Sequence, residues 1–220
     1  MGITVITGAN RGIGLAMCTQ LAARGETVVA ICRTSSEDLN QLGVQVIDGI
    51  DVCDAQSIAT LPDRLDQQPI DVLINNAGRL RRDSLNQPDD EEVMSQFVVN
   101  AVGPLRLTRA LLPLMSSGSK VAHITSRMGS IADNTSGGMY GYRMSKAALN
   151  AAAKSMTIDL APKGIAVAIL HPGFVRTGMT GGNGLVDPPE SAAGLIARID
   201  ELTQETSGTF WHMNGEVLPW

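Results

Sequence analysis

The sequence predicts an α/β fold, a single doubly wound parallel sheet of about seven strands with helices on both faces. Two observations support this prediction. Short runs rich in β-branched residues alternate with longer amphipathic stretches along all 220 residues, which is typical of repeated βαβ units. Most of the short runs are apolar almost throughout, which indicates strands buried on both faces. The length suits one domain, residues 1–220, with a full hydrophobic core.

The elements follow one another in a regular order. The predicted strands are ITVIT (3–7), TVVAIC (27–32), VQVID (44–48), IDVLIN (70–75), KVAHIT (120–125), IAVAIL (165–170) and GTFWHM (208–213). The stretches between them predict helices near 13–24, 54–66, 89–115, 142–161 and 189–203, with a weaker one near 36–42. Because ligands bind beyond the carboxyl ends of the strands in such sheets, the residues after each strand are the functional candidates.

Composition excludes several classes of protein. A formal net charge of −5 argues against nucleic acid as the main partner. No apolar run approaches the roughly 20 residues that span a bilayer, and the first run begins by Ile3, which leaves no room for a signal peptide. Cys18, Cys32 and Cys53 are spaced like no metal site or disulfide framework. We therefore expect a cytoplasmic protein with reduced thiols, no membrane association and no metal.

The first strand leads into TGANRGIG (7–14), where a helix begins. Gly8, Gly12 and Gly14 would permit a tight turn and let the backbone approach a pyrophosphate at the helix N-terminus. The spacing differs from the commoner G-x-G-x-x-G, and a plain glycine-rich turn is the alternative. The position between the first strand and the first helix favours a dinucleotide site, with Asn10 and Ile13 in the same turn.

The second and third strands indicate which dinucleotide binds. An NAD site usually places an acid after the second strand, whereas this chain has Cys32 and then Arg33. A guanidinium suits a ribose 2′-phosphate, and Arg11 offers a second one, so NADP is favoured over NAD unless both arginines are simply solvated. After the third strand, Asp51 could accept from the adenine amino group and Val52 could pack the ring, while Asp54 reads as a helix N-cap.

Small or hydroxylated residues follow the later strands. NNAG (75–78) comes where a cofactor would cross the sheet, ITSRMGS supplies Ser126, and HPGFVRT supplies a Pro-Gly turn with Thr177 behind it. Taken singly, both hydroxyls could be ordinary turn residues. His171 is a single imidazole with no evident partner, and we assign it a structural role.

The two tyrosines, Tyr140 and Tyr142, differ in their helical neighbours. A phenol, with a pKa of about 10, is a poor acid or base at neutral pH unless a cation helps it ionise. On a helix that cation must lie three or four residues away. Lys146 lies four residues after Tyr142, whereas Met144 lies four after Tyr140. The spacing selects Tyr142, although such pairs also occur on solvated helix faces.

Six motifs in this order resemble the classical short-chain dehydrogenase/reductase (SDR) family over essentially the whole chain, and imply its Rossmann fold. They are TGANRGIG, NNAG, Asn100 in VVNAVGPL, Ser126 in ITSRMG, YRMSK (142–146) and HPGFVRT. The segment TSRMGSIADNTSGGMYGYRMSKAALN and the ending GEVLPW are similar to the branch with C-factor-like and sniffer-like carbonyl reductases.

The resemblance implies a role for each catalytic residue. Tyr142 would protonate a carbonyl oxygen as hydride arrives, or act as the base in reverse. Lys146 would lower the pKa of Tyr142 and hold the nicotinamide ribose. Ser126 would stabilise the developing charge on the substrate oxygen, and Asn100 would anchor a water that links Lys146 to solvent. Tyr140 would help to line the pocket. The implied cofactor contacts are Gly8, Asn10, Arg11, Gly12, Ile13, Gly14, Arg33, Asp51, Val52, Asn75, Ala77, Gly78, Tyr142, Lys146, Pro172, Gly173, Val175 and Thr177.

The implied activity is NADP(H)-dependent hydride transfer to or from a small-molecule carbonyl or alcohol. A signalling or regulatory cofactor-binding protein is one alternative, and an epimerase or dehydratase with the same Tyr-Lys pair is another. The family also implies a homodimer or homotetramer, with helices 89–115 and 142–161 at the interface. Two departures concern the substrate pocket. Ser126 lies sixteen residues before Tyr142, a few more than usual, and the segment after Thr177 is short, so we expect a small lid or an open pocket.

Overall fold

Seven parallel strands form one sheet, in the order β3-β2-β1-β4-β5-β6-β7, in this computed structural model, which describes residues 2–87 and 89–220. The strands are β1 Ile3–Thr7, β2 Val28–Ile31, β3 Gln45–Ile47, β4 Ile70–Asn75, β5 Met115–Ile124, β6 Ala166–His171 and β7 Phe210–His212. The chain runs from β1 outward to β3 and then crosses back to β4 on the other side of β1. The crevice that ligands use in such sheets therefore opens between β1 and β4.

Helices connect consecutive strands. They are α1 Gly12–Ala23, α2 Glu37–Asn40, α3 Ala55–Ala59, α4 Leu61–Arg64, α5 Asp90–Phe97, α6 Gly103–Leu111, α7 Tyr140–Leu160 and α8 Pro188–Asp200. Among the described residues, none of these helices has the length and hydropathy to cross a bilayer.

The core has two layers, one on each face of the sheet. On one face Leu73 of β4 packs with Leu107 of α6. On the other face Ile6 of β1 packs with Met17 of α1 and Leu195 of α8. All five residues of β1 are buried, as an apolar run without alternation predicts. The predicted doubly wound parallel sheet is confirmed.

The predicted helix over 89–115 is wrong in detail. The structure divides it into α5, a wider π turn at Val98–Val102, α6 and a short 3-10 turn. Pro104 has no N–H to continue the α-helical pattern, and the Gly103 N–H reaches back five residues to the Val98 carbonyl. Met115 already belongs to β5, where it pairs with Ile70. Sequence periodicity continues through this π turn because both sides of it remain amphipathic.

Two other predicted helices differ at their ends. The one over 54–66 is α3 followed by α4, with Pro62 in the first turn of α4. The one over 142–161 begins two residues earlier, at Tyr140. Both tyrosines therefore lie in the first turn of α7.

Candidate active site

A cavity of about 610 Å³ opens at the carboxyl ends of the strands. It begins at Arg33 after β2, passes the glycine turn after β1 and Gly78 after β4, and reaches Tyr142 and Lys146 of α7. This is the crevice expected where the strand order reverses.

The structure places most of the predicted residues on this cavity. Those that line it are Gly8, Asn10, Arg11, Gly12, Ile13, Arg33, Asp51, Val52, Ala77, Gly78, Tyr142, Lys146, Pro172 and Thr177. Those outside its lining are Gly14, Asn75, Asn100, Ser126, Gly173 and Val175. Lining residues that were not among the predicted site residues include Thr34, Asn76, Arg79, Val99, Thr125 and Met179. Most of these directly follow or precede a predicted contact, so a wider window around each strand end would have included them.

The glycine turn after β1 is built by close backbone packing. Gly8 has a φ of +64°, and a Cβ there would lie 2.9 Å from the Cα of Ala77. A Cβ at Gly14 would lie 2.3 Å from the carbonyl oxygen of Gly8. Gly14 therefore shapes the turn from behind, while Gly8 and Gly12 present backbone to the cavity.

Asn75 is not on the cavity, contrary to the predicted cofactor contact, and the neighbouring Asn76 lines it instead. Asn75 is buried at the end of β4, and its Nδ2 donates to the Thr108 hydroxyl of α6 at 3.2 Å, away from the cavity. Asn76 faces the cavity, and its Nδ2 donates to the carbonyls of Thr7 and Gly8 at 2.9 and 3.2 Å. Asn76 thus joins the loops after β1 and β4, whereas Asn75 links the end of β4 to α6.

Two arginines lie at the end of the cavity that begins after β2. Arg11 and Arg33 are both exposed and line the cavity, and neither forms a salt bridge within residues 2–87 and 89–220. Cys32, the residue before Arg33, also lines the cavity and is 4% exposed. Asp54 caps α3 by accepting from the Gln56 N–H at 2.8 Å, as predicted.

Tyr142 and Lys146 lie on one face of α7 at the opposite end of the cavity. The Lys146 Nζ lies 5.8 Å from the centroid of the Tyr142 ring and donates to the Ile124 carbonyl at 2.9 Å. Tyr140, two residues earlier, points elsewhere: it is 41% exposed and does not line the cavity, contrary to expectation. Positions two apart on a helix do not share a face.

The pKa of Tyr142 moves in the opposite direction to the one expected. Burial raises the pKa of Tyr142 to about 12, and a hydrogen bond with Ser126 opposes this increase. Burial also lowers the pKa of Lys146 to about 8. Both shifts favour the neutral form of each group, because desolvation disfavours charge. In this structure desolvation therefore outweighs any lowering of the Tyr142 pKa by Lys146.

Ser126 and Asn100 lie just behind the cavity wall. Ser126 is 6% exposed, and its Oγ accepts from the Met128 N–H at 3.1 Å, which fixes the turn after β5. Asn100, in the π turn, is fully buried. Its Nδ2 donates to the Arg79 carbonyl and the Ser145 hydroxyl, and its Oδ1 accepts from the Arg79 N–H. Asn100 therefore joins the loop after β4 to α7 beside Lys146.

His171 has a partner, which corrects the expectation of an isolated imidazole. It pairs in register with His212 of β7, and the two rings meet edge to face with centroids 5.0 Å apart. Burial, followed by the charges of His212, Arg127 and Lys146, lowers the pKa of His171 to about 3. The sequence signal was present, since His171 directly follows one predicted strand and His212 is the penultimate residue of another.

The segment after Gly173 is a short loop that closes on itself. Val175 bridges to Val186, and the N–H groups of Leu185 and Val186 both donate to the Phe174 carbonyl. Val175 is 3% exposed and anchors this loop, while Met179 from its tip lines the cavity. In the described part of the chain, no cluster of His, Cys, Asp and Glu is arranged to hold a metal ion.

Comparisons with known proteins cover the elements that build this cavity. A family model described as short chain dehydrogenase matches residues 2–184. The chain is 41% identical over 226 residues to 1-hydroxy-2-glutathionyl-2-methyl-3-butene dehydrogenase of Rhodococcus sp. (strain AD45), and the match covers 100% of both chains. It is 48% identical over 155 residues to C-signal of Myxococcus xanthus, covering 69% of this chain and 93% of that protein.

Solved structures are similar over the same extent. The carbonyl reductase Sniffer of D. melanogaster has a TM-score of 0.91 at 31% identity and covers 100% of both chains. An NADPH-bound carbonyl reductase from chicken fatty liver has a TM-score of 0.90 at 29% identity, with 100% of this chain and 99% of that chain covered.

Proposed function

The chain belongs to the short-chain dehydrogenase/reductase family, and on that basis we propose that it is an NADP(H)-dependent oxidoreductase acting on a carbonyl or alcohol group of a small molecule. The observation that carries the proposal is one cavity with a buried Tyr142–Lys146 pair at one end and two unpaired arginines at the other. Similar solved structures named as NADPH-bound or NADP-bound agree with this cofactor.

The residues present fit a phosphorylated dinucleotide. Gly8 and Gly12 present backbone to the cavity, where it would approach a pyrophosphate at the start of α1, and Gly14 allows the turn to pack closely behind them. Arg11 and Arg33 would hold the ribose 2′-phosphate. Lys146, whose Nζ lies near Gly78 on the cavity wall, would hold the nicotinamide ribose.

Tyr142 carries the proton that carbonyl reduction needs. Its pKa is raised to about 12, so the phenol stays protonated throughout the neutral range, and the raised pKa makes it a weaker acid than a free phenol until substrate and cofactor are bound. NADPH, when bound, supplies the hydride. Ser126, whose hydroxyl opposes the rise in the Tyr142 pKa, would stabilise charge on the same oxygen. Alcohol oxidation requires the tyrosinate, so its rate is expected to rise into the alkaline range.

The proposed activity is tested with NADPH and a panel of aldehydes, ketones, diketones and quinones, followed at the nicotinamide absorbance. Carbonyl-dependent oxidation of NADPH supports the function. A chain that binds NADPH yet reduces no member of the panel would contradict it and favour a cofactor-binding regulator. The likeness to C-signal gives that second candidate its support, and Tyr142→Phe in a signalling assay would separate the two.

Cofactor preference gives a prediction of its own. Replacing Cys32 by Asp and Arg33 by Ala together should move the preference from NADPH toward NADH. The new carboxylate would repel a 2′-phosphate, and one of the two guanidiniums that bind it would be lost. Dissociation constants for NADPH and NADH, measured by fluorescence titration, provide the readout. Equal affinities for the two cofactors in the unmodified protein would contradict the assignment of Arg33.

We also propose that the chain acts as one domain and assembles as a homodimer or homotetramer through the surface of α5 and α7. Met94 of α5 and Met144 and Ile158 of α7 are 59%, 54% and 69% exposed, which places apolar side chains along both helices. Size-exclusion chromatography with light scattering is expected to give a dimer or tetramer, and Ile158→Lys to weaken it. A monomer at micromolar concentration would contradict this assembly.

A further inference from the structure

We propose that Asp83 is a positioning residue, which holds Tyr142 in place by capping α7 from the loop after β4. The Asp83 carboxylate accepts from the backbone N–H of Tyr140 through Oδ1 and of Gly141 through Oδ2, the latter at 2.7 Å. The Asp83 carbonyl accepts from the Met139 N–H at 3.2 Å. This inference rests on the proposed function, because Tyr142 is the residue being positioned.

The first turn of α7 needs an acceptor from elsewhere in the chain. The initial N–H groups of a helix have no partner within the helix, and a side chain just before the helix usually caps them. Here the preceding residue is Met139, which has a φ of +56° and no side-chain cap. The first turn itself, all of it described by the structure, contains no acidic residue. Asp83 supplies both the acceptors and the negative charge that favours a helix N-terminus.

Asp83 is itself held by a fixed segment, residues 79–83, which we call the strap. Asn100 binds both the N–H and the carbonyl of Arg79 at one end of the strap, each at 2.8 Å. Gln96 Oε1 accepts from the Arg81 N–H at 3.0 Å in the middle of the strap. The strap therefore joins the cavity wall at Arg79 to the start of α7.

Gly141 allows the strap to approach α7 this closely. A Cβ at Gly141 would lie 2.7 Å from Gln96 Nε2 and 3.1 Å from Asp83 Oδ2. The residue next to Tyr142 thus packs directly against the strap. A side chain at position 141 would push the Asp83 carboxylate away from the N–H groups that it caps. The cap therefore requires glycine at this position.

The consequence for catalysis follows from the order of contacts along α7. Tyr142 immediately follows the two capped N–H groups, whereas Lys146 is one turn further on and is held separately by the Ile124 carbonyl. Loss of the cap would loosen Tyr142 relative to Lys146 and the cavity. A misplacement of about 1 Å at a reacting group can cost about 100-fold in rate.

The test compares Asp83→Ala with a matched cap variant, Asp54→Ala, which removes the N-cap of α3. We expect Asp83→Ala to lower kcat for carbonyl reduction by about 10- to 100-fold, with the NADPH Kd unchanged within twofold. Asp83→Asn keeps one acceptor and should recover part of kcat. Asp54→Ala should lose comparable thermal stability and keep its kcat. Hydrogen exchange of peptides covering 139–146 should accelerate in Asp83→Ala alone.

Four results would overturn the proposal. If the wild type is active and Asp83→Ala has the same kcat, the positioning role alone is overturned. An equal loss of kcat in Asp54→Ala assigns the effect to general destabilisation. Unchanged exchange over 139–146 shows that the cap does not hold the first turn. A wild type that reduces no carbonyl overturns the proposed function, and the positioning role with it.

Discussion

Tyr142→Phe is expected to lower kcat by about 10²- to 10⁴-fold, the range that general acid catalysis contributes, while NADPH binding is retained. The ring is 8% exposed, so phenylalanine keeps its packing and removes only the hydroxyl. No other phenol among the described residues lines the cavity. The measurement is steady-state reduction of a carbonyl substrate together with an NADPH binding titration.

Tyr140→Phe is the matched control for this variant. Its side chain is 41% exposed and outside the cavity lining, and its contact with Asp83 uses the backbone N–H, which phenylalanine keeps. We expect most of the activity to remain. Equal losses in the two variants would show that helical spacing had selected the catalytic residue wrongly.

Lys146→Met is expected to lower activity without lowering the stability of the fold. NADP(H) affinity and turnover should both fall, because the ammonium that holds the nicotinamide ribose is gone. The fold, in contrast, should be at least as stable at pH 7. Burial lowers the pKa of Lys146 from 10.5 to about 8, and each unit corresponds to about 1.4 kcal/mol. The buried charge thus costs a few kcal/mol, an order-of-magnitude figure, partly offset in the variant by the unpaired Ile124 carbonyl.

The lowered pKa of Lys146 also predicts how the free energy of unfolding changes with pH. Between pH 8 and 10.5 the unfolded chain holds a proton on Lys146 that the folded chain has released. The unfolded state therefore binds more protons, and the free energy of unfolding should rise with pH across this window. Denaturant titrations at several pH values should show the rise in the wild type and a smaller one in Lys146→Met. Identical slopes in the two proteins would contradict a depressed pKa for Lys146.

Alcohol oxidation tests whether Lys146 also acts on Tyr142. Removing a positive charge near a phenol disfavours its ionised form. If Lys146 keeps its proton in the NADP complex until Tyr142 has ionised, the residual rate of Lys146→Met should rise at higher pH than that of the wild type. In Tyr142→Phe this titration should disappear. A Lys146→Met enzyme with weaker NADP binding and an unchanged profile would identify the lysine as a cofactor anchor only.

Local patterns in the sequence predicted the fold class and much of the candidate site. Apolar runs without alternation predicted strands buried on both faces, and all of β1 is buried. The spacing of Tyr142 and Lys146 predicted a shared helix face, and the two side chains do lie together. The glycine turn was recognisable because its requirement for small residues is confined to residues 8–14. Each of these features leaves its signal in residues that lie close together in the chain.

Tertiary structure decided the features that depend on residues far apart in the chain. Which of Asn75 and Asn76 faces the cavity depends on where β4 ends beside Thr7 and Thr108. The cap that Asp83 places on α7 joins residues 57 positions apart, and no periodicity relates them. The pKa of Tyr142 was expected to be low from its helical neighbour, but the surrounding protein raises it to about 12. Burial is a property of the whole packed chain, and here its effect on the phenol exceeds that of one nearby charge.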